Sequence, residues 1–283
     1  MTSAGDRIGI IAGSGHLPLH VAHCLSGAGK NVYVAGLQDA ADPSLNRPEW
    51  EIDWYDAYSL QGLVDGLKQA CVKKIVLAGR VGHSEIYHSR EFDGLLISFM
   101  EKLKDHRPST ILGGLVDLLT ANDFEVLPLT QVAPDLLHSA GRLAGPPVET
   151  RQIPDVELGW QVARIIADQD IGQAAVVKAG AVVAVEAMEG TDGAIERAGA
   201  LSGGGITVVK LAAGHHDFRY DVPTVGPDTI LKLNDAGGGL IAVEAGRSFV
   251  LELDKVSTLC DQKGITLLSC KETEDGGIFW PGT

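Results

Sequence analysis

Apolar residues form two kinds of pattern in this sequence. Short uninterrupted runs predict strands of a parallel sheet covered on both faces, and an apolar residue every three or four positions predicts amphipathic helices. In the first half, the pattern predicts strands at 8–12, 31–36, 51–55, 74–78 and 124–132, with helices through 19–25, at 60–70, and twice between 92 and 122. Ser109 is predicted to cap the last of these helices. This alternation predicts an α/β domain with an open parallel sheet.

The second half predicts a further α/β domain. Predicted strands lie at 174–178, 181–186, 206–210, 239–243, 248–253 and 265–269, and predicted helices at 156–167, after 191, after 227 and at 255–262. Residues 134–154 are rich in Pro, Gly and short polar residues, which is typical of an interdomain linker. The sequence therefore divides into domains at 1–133 and 155–283, and the polar tail from Lys271 is expected to fray.

Composition excludes several classes of protein. The formal net charge of −14 argues against a general nucleic-acid binder, and 45% hydrophobic with 21% charged residues is typical of a soluble globular protein. No signal peptide is expected, and no apolar run approaches the length that spans a bilayer. The four cysteines have no CxxC spacing and are expected to be reduced and largely buried, as in a cytoplasmic protein.

Two loops follow predicted strands of the first domain. Gly13, Ser14 and Gly15 lie between a strand and a helix, where backbone N–H groups face an anion. Because Pro18 stands where a dinucleotide fingerprint has its third glycine, a nonstandard phosphate or ribose loop is favoured over a nicotinamide site. The second loop begins Gly79-Arg80-Val81. Ligands bind outside the carboxyl ends of parallel strands, so both loops are expected to face one crevice.

The segment 210–228 has the densest set of reactive side chains. If it is extended, Asp217, Arg219 and Asp221 share one face. Two carboxylates beside a guanidinium can bind a divalent cation while the arginine binds a phosphate oxygen. The alternative is a salt-bridge ladder on a solvated strand.

A third group is expected near Lys210, at the end of the strand 206–210. Lys178, Glu189 and Asp192 are expected at strand ends beside it, and Thr191 or Asp192 is predicted as the N-cap of the next helix. If Thr191 or Asp192 only caps the helix, its presence does not indicate a ligand site.

Four segments in the same order resemble the LpxI family. They are Ile-Gly-Ile-Ile-Ala-Gly-Ser-Gly-His-Leu-Pro at 8–18, Val-Glu-Ala-Met-Glu-Gly-Thr-Asp at 185–192, the run 208–226 that contains His-Asp-Phe-Arg-Tyr-Asp, and Ala-Val-Glu-Ala-Gly-Arg at 242–247. The resemblance covers nearly the whole chain. In one place it departs: the family more often has Gln where this chain has His216.

The resemblance implies a Mg²⁺-dependent hydrolase that splits the diphosphate of UDP-2,3-diacylglucosamine into UMP and 2,3-diacylglucosamine 1-phosphate (lipid X), in lipid A biosynthesis. It implies a Rossmann-like N-terminal domain, a C-terminal mixed α/β domain, a crevice between them, and a homodimer. Weak peripheral contact with the cytoplasmic face of the inner membrane is expected, led by the substrate.

These implications assign roles to the candidate residues. Asp217 and Asp221 are expected to hold the metal, and Asp217, Arg219, Asp221 and Asp192 to be catalytic. The expected substrate-binding residues are Gly13, Ser14, Gly15, Gly79, Arg80, Val81, Lys178, Glu189, Gly190, Thr191 and Lys210. Two alternatives stay open: a noncatalytic nucleotide-sugar sensor and a nicotinamide-dependent oxidoreductase.

Overall fold

The structure, a computed structural model, describes residues 7–80, 92–273 and 277–279. Contacts group the chain into two compact units. The first unit runs to Pro134 and also contains Asp217–Asp221, whereas the second contains Asp135–His216 and the chain from Val222 onward. The chain therefore leaves the second unit for five residues and then returns to it.

The first unit is built on a parallel sheet. Its strands are β1 (Arg7–Ala12), β2 (Asn31–Leu37), β3 (Glu51–Tyr55), β4 (Lys74–Ala78) and β5 (Glu125–Val126), in the order β3-β2-β1-β4-β5. All of these pairs are parallel. The chain proceeds outward from β1 to β3 and then crosses to β4 on the other side of β1, so β1 and β4 flank a topological switch point. This arrangement confirms the Rossmann-like prediction.

Helices cover this sheet and complete its core. They are α1 (Leu17–Gly27), α2 (Leu60–Gln69), α3 (Gly94–Lys102), α4 (Pro108–Ala121) and the short α5 (Leu129–Val132). Buried apolar residues of β2, β4, α2 and α4 pack in one cluster, which includes Tyr33, Leu67, Leu77 and Leu119. Asp93 links two helix starts, because its carboxylate accepts from Leu96 N–H at 2.7 Å and from Gln61 N–H at 2.7 Å.

Two predictions in the first unit are wrong. The strand expected at 124–132 ends at Val126, and the chain enters α5 after Pro128. Ser109 is not the cap of α4, because Pro108 occupies the first helical turn and Arg107 becomes the N-cap residue. Proline is favoured there, since it lacks the N–H group that would have no helical partner.

The second unit contains a mixed sheet. Its main path runs β14-β13-β11-β9-β7-β8, and β6 pairs with β13. The strands are β6 (Gly141–Ala144), β7 (Ala174–Lys178), β8 (Ala181–Val185), β9 (Thr207–Lys210), β11 (Leu240–Glu244), β13 (Thr266–Glu272) and β14 (Ile278–Phe279). β9, β11 and β13 are parallel, whereas β7 is antiparallel to β9. A small separate sheet pairs β10 (Thr224–Val225) with β12 (Phe249–Val250).

Helices lie on both faces of the mixed sheet. One core cluster contains Trp160 and Ala163 of α6 (Ile153–Asp168). The other contains residues of α7 (Gly190–Ser202), α8 (Pro227–Asp235) and α9 (Leu253–Lys263), with Ile195, Ile230 and Val256 fully buried. The second unit is therefore a layered α/β structure, as the sequence predicted.

The second unit also differs from the predictions in several places. The segment 134–154, expected to be a linker, contains β6, which is hydrogen-bonded to β13. The strand expected at 248–253 is limited to β12, because the chain turns after Val250 and α9 begins at Leu253. The tail beyond Lys271 is partly paired, since β13 continues to Glu272 and β14 joins it.

Cysteine burial agrees only in part with the sequence prediction. Cys260 and Cys270 are buried, and burial raises the pKa of the Cys260 thiol to about 11 and that of Cys270 to about 12. Cys71 is exposed and Cys24 is half-buried, so these two are not core residues.

Among the described residues, no helix combines the length and the apolar character needed to cross a membrane.

The turn after β1 and the turn after β4 touch at the switch point. Gly13 N–H donates to the Ala78 carbonyl at 2.8 Å. Gly79 has a φ of +90°, and a Cβ atom there would lie 2.7 Å from both Gly13 C and Ser14 O. Gly15 has a similar φ of +92°, but a Cβ atom there would meet no atom within 4 Å.

We predict that Gly79→Ala destabilises the protein more than Gly15→Ala does. Both variants place alanine at a positive φ, which costs about 1–3 kcal/mol. Only Gly79→Ala also places its methyl group against backbone atoms of the neighbouring turn. Such overpacking typically costs about 1–3 kcal/mol more. Urea unfolding of the two variants measures the difference, and equal losses would contradict the close approach of the two turns.

Candidate active site

The two glycine turns form the first group of candidate residues. Ser14 N–H donates to the Arg80 carbonyl at 2.8 Å, Arg80 N–H donates back to the Ser14 carbonyl at 3.1 Å, and Ser14 Oγ donates to the Arg80 carbonyl at 3.0 Å. The prediction that the Gly13 and Gly79 loops lie together is confirmed. Val81 lies outside the described residues.

This edge of the first unit has features that suit an anion. α1 begins directly after the turn, its N-cap residue His16 makes no capping side-chain bond, and Pro18 lies in its first turn. Helix N-termini attract negative charge. Arg80 is exposed beside the turn and adds a positive charge to the same edge.

The Asp217–Asp221 segment is the second group, and it is a turn. Tyr220 N–H donates to the Asp217 carbonyl at 3.4 Å, so the residues do not alternate across a strand. The expectation that Asp217, Arg219 and Asp221 share a strand face is therefore wrong. The segment is attached to the first unit by Leu129 N–H, which donates to the Phe218 carbonyl at 2.8 Å, and by Tyr220, which packs against the apolar core.

Asp217 and Arg219 form a close ion pair within this turn. Arg219 Nη2 lies 2.6 Å from Asp217 Oδ2, Arg219 Nε lies 3.0 Å from Oδ1, and the backbone N–H of Arg219 donates to Oδ1 at 3.0 Å. The hydrogen bond to Asp217 raises the pKa of the Arg219 guanidinium. The salt bridge that the sequence left as an alternative is thus present for this pair.

The donor chemistry of the turn fits Mg²⁺. Asp217 and Asp221 are half-buried and supply carboxylate oxygens, which this ion prefers. Among the described residues, no close group of three potential ligand side chains includes Asp217, Asp221 or Asp192. A site with one or two carboxylates and several waters is the usual arrangement for Mg²⁺.

Lys210 is the centre of the third group. It ends β9, is 9% exposed, and donates to Thr191 Oγ1 at 2.8 Å and to the Thr224 carbonyl at 3.2 Å. Within the described part of the chain, no carboxylate lies within salt-bridge distance of its ammonium group. A buried ammonium bound only by neutral oxygens leaves its charge uncompensated, which favours an anionic ligand.

The start of α7 lies beside Lys210. Glu189 is the N-cap residue, Gly190 has a φ of +76°, and Thr191 and Asp192 lie in the first turn, so the prediction that Thr191 or Asp192 caps the helix is wrong. Glu189 pairs with Arg197 at 2.5 Å, and this hydrogen bond lowers the pKa of its carboxyl group.

Lys178 does not belong to this group. Because β7 is antiparallel to β9, Ala174 pairs with Lys210 and Val177 pairs with Thr207. Lys178 therefore lies at the opposite end of the strand, where its Nζ donates to the Ser202 carbonyl at 2.7 Å. Lys178 thus ends a strand beside the Lys210 strand, as expected, but at the end remote from Lys210.

Sequence reasoning missed a network of charged residues in the second unit. Arg164 Nη2 donates to Glu244 Oε1 at 2.7 Å and to Glu272 Oε2 at 2.9 Å, and Arg164 Nη1 donates to the Ala212 carbonyl. Arg247 forms an ion pair with the same Glu244 carboxylate at 3.2 Å. Burial alone would lower the pKa of Arg164, but its hydrogen bonds to Glu244 and Glu272 outweigh this effect and raise it.

A sequence signal for this network was present. Glu244 and Arg247 belong to the segment Ala-Val-Glu-Ala-Gly-Arg at 242–247, one of the four segments that carry the family resemblance. Glu244 directly follows four apolar residues of the buried strand β11, and this pattern indicates that its side chain is buried too. A buried carboxylate needs a cationic partner.

Comparisons with known proteins agree with this architecture. Residues 7–136 match the family model described as the LpxI N-terminal domain, and residues 139–268 match the LpxI C-terminal domain. The chain is also 28% identical over 281 residues to the protein named UDP-2,3-diacylglucosamine pyrophosphatase LpxI from Caulobacter vibrioides, covering 95% of this chain and 99% of that protein. The two domain models together cover most of the sequence in the order of the two structural units, and the chain therefore belongs to the LpxI family.

Proposed function

We propose that this protein hydrolyses the diphosphate bond of UDP-2,3-diacylglucosamine, with Mg²⁺, to UMP and 2,3-diacylglucosamine 1-phosphate in lipid A biosynthesis. The observation that carries the proposal is the match of both domains to one family, together with a full-length relative whose name states this activity. The alternative of a nicotinamide-dependent oxidoreductase has no comparable support.

The chemistry requires charge neutralisation. A phosphoanhydride reacts slowly with water because its negative oxygens repel a nucleophile. Mg²⁺, when bound, neutralises that charge and lowers the pKa of a coordinated water. Asp217 and Asp221 are the proposed ligands, and Asp192 is a proposed additional acidic group of the site.

The cationic residues are proposed to bind the phosphates. The Lys210 ammonium is buried, and the partners that it has in the described part of the chain are neutral, Thr191 Oγ1 and the Thr224 carbonyl. An incoming phosphate oxygen would supply a counter-charge. Gly190 and Thr191 place the N-terminus of α7 beside it, and Glu189 fixes that helix start through Arg197. Arg219 is proposed to bind a second phosphate oxygen.

The uridine or sugar end is proposed to bind at the switch point of the first unit. Gly13 and Gly79 allow the two turns to approach closely, Ser14 and Gly15 lie in the same pair of turns, and Arg80 adds a positive charge. Val81 belongs to the same proposed group by its position in the sequence.

The acyl chains need an apolar surface. Several leucines of α3 and α4, among them Leu95, Leu96 and Leu115, are only half-buried although they contact the core. We propose that these helices contribute that surface. A weak peripheral membrane contact led by the substrate, a cytoplasmic location and a homodimer are proposed on the family resemblance.

We predict that purified protein releases UMP from UDP-2,3-diacylglucosamine with Mg²⁺ and that a chelator abolishes the release. Asp217→Asn should lower kcat by about 100- to 1,000-fold, the range for losing one group that stabilises transition-state charge. Chromatographic quantification of UMP measures both effects.

The matched control is Asp65→Asn, the same substitution at an exposed aspartate on α2 of the first unit. It should leave kcat unchanged. Substrate binding by Asp217→Asn, measured by calorimetry, separates a damaged catalyst from a misfolded protein. Binding without any turnover by the wild-type protein would instead support the nucleotide-sugar sensor.

We predict that Lys210→Met lowers kcat/KM by about 10- to 150-fold, because hydrogen bonds to charged groups contribute about 1.5–3 kcal/mol. Lys178→Met is the control, since it removes an ammonium from the opposite end of the neighbouring strand and should change kcat/KM little. Circular dichroism checks that both variants are folded. Equal losses in the two lysine variants would contradict a phosphate-binding role for Lys210.

A further inference from the structure

The backbone between β9 and Asp217 is held at successive residues. Leu211 N–H donates to the Gln173 carbonyl at 2.9 Å, and Gly214 N–H donates to Asp168 Oδ1 at 2.7 Å. Between these two points, Arg164 donates to the Ala212 carbonyl and Arg247 Nη2 donates to the Ala213 carbonyl at 2.5 Å. Leu211, Ala212 and Ala213 are buried, and these bonds from other parts of the second unit satisfy backbone groups that no strand or helix pairs.

Both arginines pair with the same carboxylate, that of Glu244. The side chain of Glu244 is 8% exposed, lies 2.7 Å from Arg164 Nη2 and lies 3.2 Å from Arg247 Nε. The two guanidinium groups would repel each other without it. Glu244 is itself fixed at the end of β11, where its N–H donates to Ser248 Oγ at 3.2 Å.

The held segment leads directly to the proposed metal ligand. His216 N–H donates to the Ala213 carbonyl at 3.2 Å, which closes a turn, and the next residue is Asp217. The carbonyl at the base of that turn is the one that Arg247 binds. The segment that immediately precedes Asp217 is therefore held by two arginines that both pair with the Glu244 carboxylate.

We propose that Glu244 is a positioning residue: through Arg164 and Arg247 it fixes the backbone of Ala212–His216 and so the path of the chain into Asp217. The inference rests on the proposed function for its effect on catalysis. Its structural part, the ordering of Ala212–His216, can be tested without any turnover.

The test uses Glu244→Gln, which keeps the shape of the side chain and removes its charge. Glu272→Gln is the matched control, because Glu272 also binds Arg164 but its side chain is 41% exposed, whereas that of Glu244 is 8% exposed. Hydrogen exchange read by mass spectrometry compares the peptide covering 211–216 in both variants with the wild type. A peptide from α2 in the first unit is the internal reference.

We predict that Glu244→Gln speeds exchange in 211–216 while the α2 peptide is unchanged, and that Glu272→Gln changes neither. In turnover assays, Glu244→Gln should lower kcat by up to about 100-fold, the effect of misplacing a reacting group by about 1 Å. KM should change little, whereas the Mg²⁺ concentration for half-maximal rate should rise. A smaller folded fraction would also lower the apparent kcat at unchanged KM, but it would not raise the Mg²⁺ concentration for half-maximal rate, so that concentration is the decisive kinetic measurement.

The outcomes are distinguishable. Unchanged exchange in 211–216 overturns the proposal, whatever the activity. If the wild type releases no UMP but exchange in 211–216 rises in Glu244→Gln, the proposed reaction fails and the positioning network stands. If Glu244→Gln does not fold, Arg247→Met tests the same segment, because it removes the guanidinium that pairs with Glu244 and donates to the Ala213 carbonyl. Faster exchange there supports the proposal, and unchanged exchange overturns it.

Discussion

Glu244 carries a carboxylate that is 8% exposed and lies between the guanidinium groups of Arg164 and Arg247. A buried charge is strongly unfavourable unless charged partners and hydrogen bonds compensate it. The two arginines that compensate this charge also bind backbone, since Arg164 donates to the Ala212 carbonyl and Arg247 to the Ala213 carbonyl. The buried Glu244 carboxylate thus joins two arginines that each bind a carbonyl of the segment after β9.

Strand direction decides which of the candidate residues meet. β7 runs antiparallel to β9, so the carboxyl end of β9 lies beside the start of β7 and the end of β8. This arrangement brings the start of α7 to Lys210 and sends Lys178 to the far end. In an all-parallel sheet, both lysines would have ended their strands at the same edge. The sequence alone does not show strand direction, so it could not indicate which end of the neighbouring strand Lys178 occupies.

Strands were predictable where the apolar run is uninterrupted. β4 has the predicted bounds, and β2 and β9 differ from the predicted bounds by one residue, because burial on both faces leaves a continuous apolar signal. The polar segments were not predictable in the same way. Alternation at 217–221 suggested a strand, but Asp217 instead bonds the backbone N–H of Arg219, a local contact that competes with extended structure.

The site was predictable as a set of segments and less so as a set of contacts. The Gly13 and Gly79 turns could be placed together because the switch point of a parallel sheet is set by topology. The contacts of Arg164 could not be predicted in this way, because they join a residue of α6 to Ala212 and Glu244, which lie 48 and 80 positions away in the sequence. No local pattern marks an arginine for such a role.

The Asp217–Arg219 and Glu244–Arg164 ion pairs differ in burial, and this difference suits them to different tasks. Arg219 is 40% exposed and Asp217 28% exposed, and pairs of this kind typically contribute about 0–1 kcal/mol. Such a pair can open at little cost, which leaves Asp217 for a cation and Arg219 for a phosphate oxygen. The Glu244 pair is mostly shielded from water, and removing one partner of a buried pair typically costs about 3–5 kcal/mol. The exchangeable pair therefore suits binding and the rigid pair suits positioning, although both are the same pairing of arginine with a carboxylate.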